Sequence, residues 1–441
     1  MKKISFLVFF VLLQCCSFDN KSGIWKNVNQ TSTEERKTLD NLKPLSLGDK
    51  QFDKTIPFNT NYKFNLKEPI NISGWKDVFY NQSNNLENFE YRELNQLKYK
   101  SKKISRNITS PNILLEADKI IFSDIKGNII VFSINENKIF EKFNFYKKEY
   151  KKLKKTLNII VEANIIYVSD NLGYLYAYDY LKKKVLWAKN YKIPFRSNLK
   201  ILEEKLIAAN QNNTLFFFNK ITGDIIKSLP TEETVIKNNF INNLSLNNEY
   251  TVFLNTYGSL YGIDNQSMNI NWFLNLNQSL DINPSNLFRG NHVVINKKKI
   301  FVSTNNFFYV LDLQTGAIIF RKNFTTDFKP IVINNHLFVL TKNNFLISLD
   351  LKSGDYVFSY NLNQRVADYL KSKKKRAQYK NIMFINNKLF IFLKNSYVIK
   401  IKTNGEIEDV IKLPSKIYSD PIIANSLIYF LGPSKKLTIV D

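Results

Sequence analysis

Cysteine is nearly missing from this chain: 441 residues hold two, Cys15 and Cys16, side by side near the N-terminus. Everything beyond them folds without a disulfide and has no thiolate for a metal or a nucleophile. Histidine is as scarce, with only His292 and His336, one repeat length apart and so expected at equivalent positions of neighbouring units; without further ligands at close spacing, a zinc site is not expected. Arginine supplies 8 of the 63 basic residues. The net charge of +25 would ordinarily suggest nucleic acid or an anionic membrane as partner. Here the excess is lysine, a point charge rather than the fork that suits phosphate, and no basic stripe with interleaved aromatics stands out. Nucleic-acid binding is therefore not expected. Glycine-rich phosphate loops, nucleophile elbows and triad patterns are missing as well, and no apolar run approaches the roughly 20 residues of a membrane-spanning helix. No cofactor is expected.

What the chain has is a repeat. The stretch 167–190, YVSDNLGYLYAYDYLKKKVLWAKN, reads as strand, turn at Leu172-Gly173, strand to Asp179, and a further strand carrying Trp187. Period-2 alternation with glycine and Asn/Asp punctuation marks consecutive antiparallel hairpins. Weaker copies register on Ser133, Asp179, Asn219, Asp264, Asp312, Asp350, Lys402 and Asp441, with gaps of 46, 40, 45, 48, 38, 52 and 39. Such a period means a solenoid or a propeller, because no unit of this size buries both its faces alone. Eight units predict an all-β, eight-bladed β-propeller of four-stranded antiparallel blades over residues 91–441. The last unit stops at Asp441, before its outer strand. Residues 97–103, with Tyr99 in the place of Trp187, are expected to supply that strand from the N-terminal side and close the ring.

Several residues recur once per unit. Phe140, Trp187, Trp272, Phe320 and Phe358 follow the turns at blade period, which points to packing between blades rather than to a ligand cage. Asp179, Asp264, Asp312 and Asp350 each precede a turn, where a carboxylate accepts hydrogen bonds from turn amides. The longest gap holds a basic insertion at 363–380, read as a solvated loop.

Residues 1–16 form a targeting segment: Lys2 and Lys3, an apolar run from Ile4 to Leu13, then Gln-Cys-Cys. A cysteine at the cleavage point, with leucine at minus three, resembles a bacterial lipobox. Cys16 is the preferred lipidated residue and Cys15 the alternative. Residues 17–90, polar and weakly periodic, are expected to form a partly disordered tether with partial order near Gly74-Trp75.

The unit resembles the quinoprotein-type propeller repeat, strand, G-x-L-x-A-x-D, turn and T-G-x-x-x-W. With a lipobox and no enzyme-sized insertion, the chain is similar to the BamB family of lipoproteins, over about 91–441. That resemblance implies a non-catalytic scaffold of the machinery that assembles outer-membrane β-barrels, anchored by lipid and facing the periplasm. It implies two partners, a barrel insertase with POTRA domains and unfolded outer-membrane proteins. Family members hold a POTRA domain through two loops on one propeller face, one bearing L-x-L-R and the other D-x-D. By blade count these fall near Val235 and Lys237, and at Asp281 and Asn283. Asp281 matches the pattern, whereas Asn283 and Lys237 depart from it. The alternatives are a periplasmic quinoprotein-like enzyme and a small-molecule or carbohydrate-binding propeller.

Overall fold

Alternating β-branched and aromatic residues between Asn/Asp/Gly turns give short strands whose two faces are both apolar, and these stack radially. The computed structural model describes residues 16–18, 25–27, 51–233, 240–277, 288–373 and 377–441. The chain divides into Met1–Lys50 and Gln51–Asp441. In the first unit, Cys16–Phe18 pairs antiparallel with Trp25–Asn27.

The second unit is an eight-bladed propeller of antiparallel blades. Blade 2 shows the pattern. Leu157–Glu162, Ile165–Asp170, Tyr174–Asp179 and Lys184–Asn190 follow one another from the axis outward. The inner strands are buried, while the outermost alternates between exposed and half-buried. Each third strand ends at its expected registration residue or, in blade 8, one residue earlier at Val440. A bulge interrupts the ladder between third and fourth strands in all eight blades, for example at Ala177/Tyr178 and Gly262/Ile263. Such bulges add twist where a blade meets its neighbour.

The ring closes as expected. Leu97–Lys100 forms the outer strand of blade 8, pairing with Leu437–Val440 through Ile439↔Tyr99. Tyr99 then donates its hydroxyl to Asn137 in blade 1. The blade-period aromatics do pack between blades. Trp187 donates Nε1–H to Lys220 O at 3.0 Å in blade 3, and Trp272 donates to Leu313 O at 3.0 Å in blade 5. Each indole lies against the next blade's turn glycine, Gly223 or Gly316, at φ of 78° and 71°. A side chain there would collide with the ring as well as strain the backbone. The turn aspartates accept as expected: Asp312 Oδ1 takes the amides of Gln314 and Thr315 at 3.0 and 2.9 Å.

Residues 19–24 and 28–50 of the expected tether lie outside the described residues; over 51–90 the chain is not a tether. From Gln51 the chain is packed on the propeller, and residues 72–89 form a strap that touches every blade around one end of the axis. Ile72 O accepts from Asn425 N in blade 8, at 2.7 Å. Trp75 exchanges both backbone hydrogen bonds with Leu115 in blade 1, at 2.8 and 2.9 Å, and Lys76 O accepts from Val161 N in blade 2. Gln82 Nε2–H reaches Ile201 O in blade 3 at 2.6 Å. Asn84 donates to Leu244 O in blade 4 and Val293 O beside blade 5, at 2.8 and 2.7 Å. Asn85 exchanges bonds with Val332 of blade 6, and Asn88–Phe89 adds a parallel strand to blade 7. Short strands at the axis leave carbonyls and amides unpaired, and Asn and Gln side chains supply the missing donors and acceptors. Ahead of the strap, residues 52–65 cross blade 6, where Ile56 pairs with Ser359 and Tyr62 meets His336.

The basic insertion begins as a helix, Leu362–Tyr369, capped by the Asn361 side chain, which accepts from Gln364 N at 3.1 Å. His292 and His336 do not occupy equivalent positions. His336 opens the second strand of blade 6, whereas His292 precedes the first strand of blade 5, because inter-blade connections differ in length.

Candidate functional site

In each blade the first strand runs toward the strap and turns back in a tight hairpin. The strap therefore covers the hairpin face, and the connections between blades gather on the opposite face. Both loops singled out by blade count are inter-blade connections. Val235 and Lys237 lie within 234–239, and Asp281 and Asn283 within 278–287, all outside the described residues. The ends of the two connections meet: the rings of Phe240 and Phe288 are 5.4 Å apart in an edge arrangement. At the other end of the first loop, the Glu232 carboxylate accepts from Ser259 Oγ and Asn255 Nδ2, both at 3.1 Å, and from the Tyr261 hydroxyl. Burial works to raise that carboxyl's pKa, but these donors outweigh it and hold it below the usual range. Such a pinned carboxylate fixes where the loop leaves the propeller. Cys16 lies in the N-terminal hairpin, apart from these residues in the division of the chain.

On the axis, strap and blades share a buried ion pair. Lys200 is fully buried in blade 3 and donates to Asp77 Oδ2 at 2.6 Å, Asn84 Oδ1 at 2.6 Å and Asn81 O at 2.8 Å. Burial lowers the pKa of its ammonium, and Asp77 opposes that shift. Three acceptors match its three donors, which is what a buried ammonium requires.

Beneath the strap the axis widens into a cavity of about 170 Å³. Phe79 and Trp75 of the strap line it, together with polar groups from the blades: Asn112, His292, Asp327, Lys329, Lys380, Asn381 and Asp420. Lys380 pairs with Asp420 at 2.7 Å. His292 Nδ1 sits 2.6 Å from Asn243 Oδ1, and its ring packs 4.2 Å from Phe79. Burial pushes its pKa down to about 3, helped by the charges of Lys329 and Lys200. It is neutral at physiological pH. Lys329 donates to Phe79 O at 3.2 Å and stands 5.1 Å from the Phe79 ring centre. Its pKa is lowered to about 7 by burial, with the Lys200 charge adding and Asp77 and Asp420 opposing.

No group of three or more potential metal-ligating residues occurs among the described residues. No helix among them is long and apolar enough to cross a membrane. The axial lysines escaped the sequence reading, which gave of the strap only partial order near Gly74-Trp75. The one available signal was the run GWKDVFYNQSNN at 74–85, aromatics followed by clustered Asn and Gln in a segment without strand alternation.

Residues 257–441 match the family model described as outer membrane protein assembly factor BamB. No curated protein matches the chain. Among solved structures, BamB from Moraxella catarrhalis is similar at TM-score 0.62 and 11% identity, covering 78% of this chain and 99% of that one. Quinohemoprotein alcohol dehydrogenase from Comamonas testosteroni matches at 0.58 and 9% identity, over 83% of this chain and 80% of that one. A europium-containing methanol dehydrogenase matches at 0.58 and 11% identity, over 83% and 89%. At these identities the likeness to solved structures concerns the fold alone, which scaffold and enzymes share.

Proposed function

The chain being a BamB-like propeller of PQQ-type repeats, we propose that it is a non-catalytic scaffold of the outer-membrane β-barrel assembly machinery. In this reading Cys16 carries the lipid that holds it on the periplasmic side of the outer membrane. The connections at 234–239 and 278–287, with Val235, Lys237, Asp281 and Asn283, dock on POTRA domains of the insertase. Unfolded barrel precursors meet the outer strand edges, where Ile225, Ile226, Ile270, Phe273, Ile318 and Ile319 are exposed on three consecutive blades. An exposed edge of this kind pairs with an extended chain by β-augmentation.

The observation that carries the assignment is the family match over 257–441. The geometry supports its non-catalytic side. The strap occupies one end of the axis, and the cavity left beneath it, at about 170 Å³, is close to the size that accommodates benzene, smaller than a fused-ring quinone with its substituents. The rival reading, a quinoprotein-like enzyme, draws on the two dehydrogenases among the similar structures. Titration with pyrroloquinoline quinone and calcium separates the two. The scaffold reading expects no saturable binding, and a stoichiometric complex with dye-reducing activity would replace it. For the anchor, Cys16→Ala should release the protein from membranes while Cys15→Ala leaves it attached. Release by neither substitution would remove the lipoprotein claim.

A further inference from the structure

Three lysines converge on the axis, and two of them are matched. Lys200 has Asp77 at 2.6 Å, and Lys380 has Asp420 at 2.7 Å. Lys329 has the carbonyl and ring of Phe79 and, among the described residues, no carboxylate within ion-pair distance. Asp327, next but one in sequence, is turned to Lys342 at 3.4 Å. Lys329 is half-buried; an ammonium largely withdrawn from water without a counter-charge is costly, and the cost is relieved by losing the proton or by taking up an anion. The second route is open. Lys329 lines the cavity, and Asn112 and Asn381 are among the other residues of its wall.

We propose that the axial cavity binds one small carboxylate, held by the Lys329 ammonium with help from the Asn112 and Asn381 amides. Charge selects the class, since Lys329, without a carboxylate within ion-pair distance among the described residues, lines the space. Volume sets the size: about 170 Å³ suits a ligand of six or seven heavy atoms, near the benzene reference. The neighbouring polar groups are already engaged. His292 is bonded to Asn243, and the two lining carboxylates are paired, Asp420 with Lys380 and Asp327 with Lys342 at 3.4 Å, which offsets their repulsion of the ligand. The carboxylate comes either as a free anion or as an acidic side chain presented by a partner at the face of the inter-blade connections. This inference is independent of the docking assignment.

The probe is malonate, titrated calorimetrically into the full chain at low ionic strength. We expect saturable binding of one malonate per chain, weakened at least tenfold by Lys329→Met and unchanged by Lys373→Met on the exposed insertion. Lys329→Arg should retain binding. Affinity should fall as pH rises from 6 to 9, because Lys329 loses its proton in that range. The other charged or titratable groups around it are Asp77, Lys200, His292, Asp327, Lys380 and Asp420, and His292, already neutral, adds no charge change there. That profile tests the idea on the unaltered protein should Lys329→Met fail to fold. A glutamate-bearing tripeptide that competes with malonate identifies a side chain as an occupant, and malonate binding without competition identifies a free anion. Absence of saturable binding, or binding indifferent to Lys329 and to pH, would overturn the proposal.

Discussion

Replacing Asp77 by alanine tests whether the strap belongs to the fold. Asp77 is 5% exposed and, among the described residues, is the one carboxylate paired with Lys200, which is fully buried. It also accepts the amide of Phe79 at 2.8 Å, shaping the strap where it turns over the axis. Removing one partner of a buried ion pair typically costs about 3–5 kcal/mol, because the other charge is left uncompensated. Lys200 keeps Asn81 O and Asn84 Oδ1, so the lower end, about 3 kcal/mol, is expected. Lys200→Met should cost less, and the double variant Asp77→Ala, Lys200→Met should recover most of the loss, since burying neither charge avoids the desolvation term. The assay is chemical unfolding followed by tryptophan fluorescence, to which Trp75 reports from within the strap. Amide exchange over 72–89 tells local release from global unfolding. If Asp77→Ala unfolds like the parent chain with unchanged exchange, the strap is not held by this pair and the reasoning fails.

A chain beginning at Gln51 should match the full protein in thermal stability, whereas one beginning at Tyr91 should melt lower because all eight blades lose strap contacts. One beginning at Arg106 should also aggregate, since blade 8 then shows a bare strand edge. Gly223→Ala should destabilise by roughly 1–3 kcal/mol in urea unfolding, combining left-handed backbone strain with a Cβ driven into the Trp187 ring; a neutral result would mean the indole gives way. His336 is held neutral: Asn65 N–H donates to Nε2 at 3.0 Å, Tyr62 sits on Nδ1 at 2.8 Å, and burial lowers the ring's pKa, with Asp350 opposing and Lys352 adding. The unfolded chain therefore takes that proton first, so stability should fall as pH drops below about 6.5. His292, pushed further down by burial, adds to the same fall, so His336→Gln should make that part of the profile shallower without abolishing it.

The ring was readable because its signals are local and repeated. Asp179, Asp264, Asp312 and Asp350 mark third-strand ends by the turn amides they bind, and Trp187 and Trp272 mark blade contacts by their distance from a turn glycine. Tyr99 was placed in the last blade by aligning it with Trp187, which needs only one repeat as a ruler. The strap left no such trace. Asn84 and Asn85 reach carbonyls 160 to 247 residues away, and nothing in their own neighbourhood has a period to read. Lys329 was equally invisible, because a lysine's burial depends on which blades meet around it. His292 and His336 misled for the opposite reason: a spacing equal to the mean repeat implies equivalence only if connections are of constant length, and these are not. The docking residues rest on blade count, and neither Val235, Lys237, Asp281 nor Asn283 lies among the described residues.

Binding of the purified protein to a POTRA-domain array, measured by surface plasmon resonance, tests the scaffold claim most directly. The account predicts saturable binding that Asp281→Ala weakens by about 2–5 kcal/mol, as expected for truncating a desolvated charge pair, with unfolding unchanged. Asp312→Ala, in a turn of blade 5, should lower stability and leave that affinity intact. No binding by the folded parent protein would contradict the scaffold claim, and full binding by folded Asp281→Ala would remove this loop from the docking face.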